Sequence, residues 1–377
     1  MMHRFQVSRI NCILDRRLVP AAEAELTRLG IKRYYTTLSK QISFAEKSSL
    51  FKTVYKLNED RAEYMRIYVP REKAVSLMHQ LARAVDLYLP GRGSLYCENC
   101  VLIHRDKNIW PDDHLHLLVN NSVKIDQTSW DLITCIVQRG KGDEIARVML
   151  EMGLCVPSVC YGEGMGLRDQ IGLLRITIPV NKEVLYFLVP SADSDFVFDI
   201  AMRRAGMTEP GKGFLYRVPV FAETVNSQIY SDRRKHVASM EQVITALDEL
   251  RGSTDWRRLT SSGRQRKARQ KNSCLELESF SITCEEGNAA KIVARAMELG
   301  AGGATLIRVA AHQASDPAAG KVESQAWETC DLIVRPDQAD ILEKELIPLL
   351  VQNQGAFAER AIVRDARTYI NMNETKR

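Results

Sequence analysis

The chain has no run of about 18 uncharged apolar residues, the length a membrane-spanning helix needs. Its longest candidates are residues 184–190 and 346–351, and the opening Met1-Met2-His3-Arg4-Phe5-Gln6 has no apolar signal core. No membrane span and no secretion signal are expected. A nucleophile elbow, a Walker-type phosphate loop and a paired-carboxylate signature are also missing. Catalysis therefore has no positive support, and a non-enzyme without metal or cofactor is the expectation. The histidines are few and show no triad or metal spacing. His114 and His116, in Asp113-His114-Leu115-His116, can lie on one side of an extended segment, but no third ligand is identifiable. They read either as a partial metal site or as a solvent-facing linker pair. The nine cysteines are odd in number and scattered. A disulfide framework is disfavoured, and a reducing cytoplasm is the expected location.

What is present is globular: 45% hydrophobic and 26% charged residues over 377 positions, enough for two or three domains at roughly 150 residues each. The net charge is +5, yet residues 251–271 alone carry eight basic groups against Asp255, a local +7; removing it leaves −2 for the rest. The basicity belongs to one segment. Residues 230–251 have helical periodicity, with Val237, Met240, Val243, Ile244, Leu247 and Leu250 on one face, whereas 252–273 are rich in Gly, Ser, Arg and Lys. A connecting helix followed by a flexible basic linker is expected. The alternative for the linker is a nucleic-acid or anionic-surface contact through counterion release, although Trp256 is the one aromatic among its charges.

The remainder repeats itself three times. An amphipathic helix ends in Gly30, Gly153 or Gly300, each suited to a left-handed helix cap. An apolar strand precedes each helix, at 5–14, 130–138 and 275–284. Later strands close on Pro70, Pro190 and Pro336, so that glycine and proline are 40, 37 and 36 residues apart. A second helix and a glycine-led strand complete each unit: Gly91-Arg-Gly-Ser-Leu-Tyr, Gly211-Lys-Gly-Phe-Leu-Tyr and Gly355-Ala-Phe-Ala. Strand, helix, strand, strand, helix, strand is the split βαβ order of an α+β, ferredoxin-like domain. The reading is three tandem ferredoxin-like domains: unit one at 1–120, unit two at 128–229 and unit three at 274–377, with the connecting helix at 230–251 and the linker at 252–273.

Residues 130–225 of unit two carry a first strand Ile133-Thr-Cys-Ile-Val-Gln-Arg, a Gly162-Glu-Gly164 motif leading into a long loop, Val189-Pro190 closing a strand, and Gly211-Lys-Gly213 followed by Val218-Pro219-Val220. This run, about a quarter of the chain, resembles the PII and PII-like signal-transduction proteins of the nitrogen-regulatory type. The resemblance implies trimers of ferredoxin-like subunits that bind adenine nucleotides, and often 2-oxoglutarate or bicarbonate-linked signals, in clefts between neighbours. It also implies a long loop that grips a transporter, channel or enzyme. Three units in one chain would build that trimer internally, as an intramolecular pseudo-trimer. The effector-binding residues it implies are Gly162, Gly164, Gly166 and Arg168 on one wall and Gly211, Lys212 and Gly213 on the other, giving one strong site per chain. Glycine lets backbone N–H groups turn toward a phosphate; the same glycines also serve a plain loop turn.

The chain departs from that pattern in places. Gly166 stands where many members have glutamine, Phe214 where a lysine follows the second glycine pair, and Asn226 and Gln228 where an arginine pair follows the last strand. Lys212, Arg168 and Arg175 are the candidates for the missing charge. Residues 162–182 contain neither tyrosine nor serine, so control is expected to be non-covalent. Units one and three lack the loop glycines. Unit one has instead a long loop at 40–61 with Lys47, Phe51, Lys52, Tyr55 and Lys56, suited either to a partner or to a helix packed on its own domain. Cys97-Glu-Asn-Cys100 falls inside a predicted strand, where positions three apart face opposite ways; two ordinary thiols are expected, a redox switch being the alternative. The functional expectation is a sensor of a small anionic effector that acts on a transporter or enzyme of carbon or nitrogen metabolism. The runner-up is an adaptor whose linker touches nucleic acid.

Overall fold

The computed structural model describes residues 3–49, 52–104, 118, 129–166, 181–207, 209, 211–229, 277–316, 321–350 and 355–367. The expected helix over 230–251, the basic linker over 252–273, Arg168, Arg175, Phe51 and the His114/His116 pair all lie outside them. No helix among the described residues is long and apolar enough to cross a membrane.

The fold is α+β with a predominantly antiparallel sheet built from βαβ-type units. The first is β1 (His3–Asp15), α1 (Val19–Arg28), β2 (Arg33–Ser49), β3 (Lys52–Pro70), α2 (Arg71–Ala84) and β4 (Gly93–His104). The second is β5 (Trp130–Gln138), α3 (Gly142–Glu151), β6 (Ser158–Gly166), β7 (Asn181–Pro190), α4 (Ser194–Arg204) and β8 (Gly213–Thr224). The third is β9 (Leu277–Glu285), α5 (Ala289–Glu298), β10 (Gly303–Asp316), β11 (Lys321–Val334), α6 (Pro336–Leu350) and β12 (Phe357–Val363), with the short β13 (Asp365–Arg367) after it. Strand neighbours run β4-β1-β3-β2 in the first, β8-β5-β7-β6 in the second and β12-β9-β11-β10 in the third, all antiparallel.

The helices stop where the sequence says they should. Gly30, Gly153 and Gly300 have φ of 77°, 63° and 96°, which an L-side chain resists. After each glycine the next N–H reaches back five residues, Ile31 to Leu26, Leu154 to Met149 and Ala301 to Ala296, at 2.9–3.0 Å. The glycine N–H itself bonds three residues back. This is the Schellman closure, and it satisfies carbonyls that would otherwise end unpaired.

The central strands are apolar on both sides because both sides are covered. In β3, Met65, Ile67 and Val69 pack under α1 and α2, while Ala62, Tyr64 and Tyr68 face the other way. In β7, Leu185, Phe187 and Val189 lie under the helices, and Val184, Tyr186 and Leu188 oppose them. Period-two alternation thus splits each sheet between a helix-covered core of its own and one core shared by all three sheets. Aromatic rings knit the shared core across units: Tyr64 lies 5.2 Å from Tyr186, and Tyr68 5.2 Å from Phe357.

One expectation is corrected. Residues 40–49 and 52–61 form not an open loop or helix but the distal arms of β2 and β3, paired without a break from Tyr35↔Arg66 to Ser49↔Lys52; Phe51 lies outside the described residues. Among the described side chains, charges such as Lys56, Glu59, Asp60 and Arg61 fall on both faces of the ribbon, which weakens the strand signal in the hydropathy.

Candidate functional site

The three sheets join edge to edge in a closed cycle. The start of β6 pairs with β2 (Ser158↔Gln41), the start of β10 with the end of β6 (Gly303↔Gly166), and the start of β2 with β10 (Arg33↔Gln313). The opposite edges also meet: β4 pairs with β8 and with β12, and β13 pairs with β8. Every unit therefore shares a seam with both others.

The sequence-predicted effector residues fall on these elements unevenly. Gly162, Gly164 and Gly166 lie within β6, which continues as a strand through Gly166 because β10 pairs with it. A Cβ on Gly162 would stand 2.7 Å from the Leu306 carbonyl oxygen, so that glycine is required by the close approach of another unit's backbone. A Cβ on Gly164 would meet Lys182 at 2.6 Å, whereas Gly166 has open space. Gly211 has φ of 75° and its carbonyl accepts from Gln138 Nε2 at 3.4 Å. Lys212 pairs with Glu209 at 3.1 Å, and Gly213 opens β8. The two glycine motifs occupy the same end of the unit-two sheet but opposite edges. The row Gly213↔Val137, Val137↔Glu183, Glu183↔Tyr161 separates them by three strand spacings, about 14 Å. Within unit two they do not face each other.

The seam between units one and three has room. A cavity of about 150 Å³ is lined by Arg33, Ala311, Gln313, Glu323, Gln325 and Trp327. Arg33, Gln313 and Glu323 stand in one row across β2, β10 and β11, and Arg33 Nη2 donates to Gln313 Oε1 at 2.9 Å. Trp327 is buried, and its indole N–H has no hydrogen-bond partner. Gly355, with φ of 86°, lets the chain turn beside them: a Cβ there would stand 3.1 Å from Arg33 Nη1 and 3.5 Å from the Trp327 ring. The cavity thus brings together a guanidinium, the Glu323 carboxylate and the buried Trp327 ring beside a glycine-led turn. Along the same seam His312 stacks on Tyr34 at 4.7 Å and its Nε2 lies 2.9 Å from Thr36 Oγ1. Burial lowers the His312 pKa, with Glu23 and Glu63 opposing, which favours the neutral ring.

Where the three sheets converge lies a buried polar cluster. Arg9 donates to Glu98 Oε1 from Nε at 3.0 Å and from Nη2 at 2.6 Å, and from Nη1 to Glu359 of unit three. Asn11 Nδ2 donates to the same Glu98 oxygen at 3.2 Å, and Tyr64 OH donates to Asn11 Oδ1 at 2.8 Å. Arg66 approaches Asp331 at 4.0 Å, and Ser281 donates to Asp331 at 2.6 Å. The space left between these groups is about 10 Å³, room for about one water and no larger ligand. Burial works against the charge on Arg9, but Glu359 and Glu98 outweigh it and hold the guanidinium protonated. Burial raises the Glu359 pKa, with Arg9 pulling it back.

Cys97 and Cys100 are free and buried on opposite faces of β4, Cys97 under the helices and Cys100 in the shared core. Burial, with Glu98 next, pushes the Cys97 thiol up to about 12; burial and then Glu359 raise Cys100 well above the usual range. Neither is a ready thiolate. Among the described residues no group of three or more His, Cys, Asp or Glu is placed to hold a metal ion.

Sequence reasoning passed over a repeated carboxylate. Glu183 Oε2 accepts the N–H of Gly142 at 2.7 Å, and Glu328 Oε1 that of Ala289 at 2.6 Å, so a strand caps the first helix of its own unit. The signal was present: Glu63, Glu183 and Glu328 each stand six residues before Val69, Val189 or Val334.

No family model matches the chain, and no curated protein matches it. Among solved structures it is similar to an aspartate kinase from Synechocystis, at 8% identity and a TM-score of 0.20 over 97% of this chain and 44% of that one. The chain spans less than half the length of that enzyme, and a likeness this slight informs neither fold nor function.

Proposed function

We propose that the chain is a PII-like sensor: three ferredoxin-like domains, at 1–120, 128–229 and 274–377, form an intramolecular pseudo-trimer that binds a small anionic effector between domains. Occupancy is passed to a protein target without catalysis. The observation that supports this reading is the closed cycle of seams, β2 with β6, β6 with β10 and β10 with β2, around one shared core. Separate subunits of a trimer would meet in the same cyclic way. An adenine nucleotide is the effector that the sequence resemblance favours, and a transporter or enzyme of carbon or nitrogen metabolism is the target class. The roomy seam at Arg33 and Trp327 gives an anionic group a charge-assisted contact of about 1.5–3 kcal/mol.

Calorimetry and thermal shift with ATP, ADP, AMP, cyclic AMP, 2-oxoglutarate and bicarbonate test the reading. One adenine nucleotide is expected to bind, with affinity falling about tenfold or more in Arg33→Ala if it occupies the seam between units one and three. The same loss in Lys212→Ala, with Arg33→Ala unaffected, would move the effector to the unit-two turn. No response to any of the six compounds removes the proposal. Light scattering checks the architecture separately: one chain, or a dimer of chains, is expected, and a stable homotrimer of 377-residue chains contradicts it.

A further inference from the structure

The three units share a fold, but the equivalent positions they bring to the point of convergence differ in charge. The strand registers fix the equivalences. In unit one Asn11 stands opposite Arg66 of β3 and Tyr96 of β4; in unit two Thr134 stands opposite Tyr186 of β7 and Tyr216 of β8; in unit three Ser281 stands opposite Asp331 of β11 and Glu359 of β12. Two residues earlier on the first strand of each unit come Arg9, Leu132 and Ser279. Arg66, Tyr186 and Asp331 are thus one position occurring three times, as are Arg9, Leu132 and Ser279. All six line the small space where the sheets meet.

Across these rows unit one brings two guanidinium groups against the single carboxylate of Glu98, unit two brings no charge, and unit three brings the two carboxylates of Asp331 and Glu359. The opposite signs meet across the units: Arg9 donates to Glu359, and Arg66 stands 4.0 Å from Asp331, with side chains 8% and 12% exposed. Replacing each unit by its neighbour shows what the pattern excludes. Three copies of unit one would gather three Arg66 side chains with no acid at the Asp331 position, and each Arg9 would meet a Tyr96 hydroxyl in place of Glu359. Three copies of unit three would gather six carboxylates, with Ser279 where Arg9 supplies the counter-charge. A buried charge without its partner is strongly destabilising, so each of these arrangements is disfavoured by the charges it repeats. Unit two is neutral at all of these positions and carries no such bar.

We infer that the inner faces of units one and three are recognition surfaces for each other: each admits a partner of opposite charge and rejects a second copy of itself. The partner that fits unit one is a unit presenting acids at the Asp331 and Glu359 positions, and the chain supplies that face in cis. A second copy of the chain can satisfy unit one only with its own unit three, so chains that exchange units do so in unlike pairs. The inference rests on the three-unit closure proposed above and needs no effector.

A double-mutant cycle on the full chain tests this. Arg66→Met and Asp331→Asn each remove one charge at similar volume, and each is expected to lower the melting temperature by about 4 °C or more. The double variant should lose less than the sum of the two, because no unpaired charge remains at that position. Asp331→Arg gives unit three the charge of unit one; it should melt below Asp331→Asn, and adding Arg66→Asp should recover part of the difference. Additive losses in the neutral cycle overturn the proposal, as does an Asp331→Arg chain as stable as Asp331→Asn or one that Arg66→Asp does not rescue. If the arginine variant does not fold, the neutral cycle decides alone. Light scattering on the wild type judges the closure separately: a homotrimer of chains contradicts the three-unit reading, whereas a cycle without coupling in a closed chain contradicts the charge recognition only.

Discussion

Arg9→Met is expected to lower the free energy of unfolding by about 3–5 kcal/mol, the usual cost of removing one partner from a buried ion pair. Arg9 lies in β1 opposite Glu98 of β4 and reaches across to Glu359 of β12. Its side chain is 10% exposed, and those of Glu98 and Glu359 are 3% and 1% exposed. Methionine fills much of the volume but leaves two buried carboxylates converging on an apolar group. Asn11 still serves Glu98, while Glu359 keeps only the weak Cys100 thiol donor at 3.8 Å among its hydrogen bonds. Burial already holds the Glu359 pKa above its ordinary value, and Arg9 is the strongest group opposing that shift; without Arg9 the pKa rises further. For a carboxyl whose folded pKa is raised, folding weakens as pH climbs from the unfolded value of about 4.3 through the folded one. Urea unfolding of Arg9→Met should therefore show a larger loss at pH 8 than at pH 5. Adding Glu98→Leu and Glu359→Leu to the variant should recover much of the loss, because no unpaired charge then remains. A cost below about 1 kcal/mol with no pH dependence would show that the cluster does not hold units one and three together.

That cluster was not legible in the sequence. Arg9, Glu98 and Glu359 each sit in a strand with ordinary alternation, and nothing near Arg9 signals a partner 350 positions away. Contacts that form only when a third sheet closes on the first two leave no local pattern. The glycine caps, by contrast, depend on geometry within one turn of helix. Gly30, Gly153 and Gly300 could therefore be placed before the strands they lead to. The Cys97/Cys100 reading succeeded for a similar reason, since a strand's period of two fixes opposite faces without reference to the rest of the fold. The hairpin was missed because its apolar positions are few: Ile42 and Phe44, with Leu57 beside them, pack on the core of unit two rather than on their own unit, so the stripe makes sense only once the units meet. At the candidate site, the glycines of unit two were noticed as a motif, but the cavity at Arg33 belongs to a row of residues from two units, Arg33, Gln313 and Glu323. Only the fold makes those three neighbours.

Gly213→Ala and Gly93→Ala are each expected to cost about 2–4 kcal/mol by forcing a Cβ into backbone. The two glycines are equivalents in the G-[RK]-G-x-L-Y repeat, and they press on equivalent neighbours. A Cβ on Gly93 would stand 1.9 Å from the Ile13 carbonyl oxygen, and one on Gly213 would stand 2.4 Å from the Ile136 carbonyl oxygen. In each case the neighbour is the central strand of the same sheet, β1 or β5, whose ladder with the last strand begins at that point, Leu14↔Gly93 and Val137↔Gly213. Gly93 should lose more, because its φ of 143° is a conformation that alanine resists, whereas Gly213 has no positive φ. Gly211, with φ of 75°, should cost the left-handed strain of roughly 1–2 kcal/mol when changed to alanine. The order Gly93, Gly213, Gly211 in guanidinium unfolding would assign the second glycine of the motif to sheet closure and leave the first, with Lys212, as the part able to serve an anion. If Gly213→Ala instead keeps full stability and abolishes nucleotide binding, the close contact with Ile136 is relieved without cost, and Gly213 is a ligand contact as its motif first suggested.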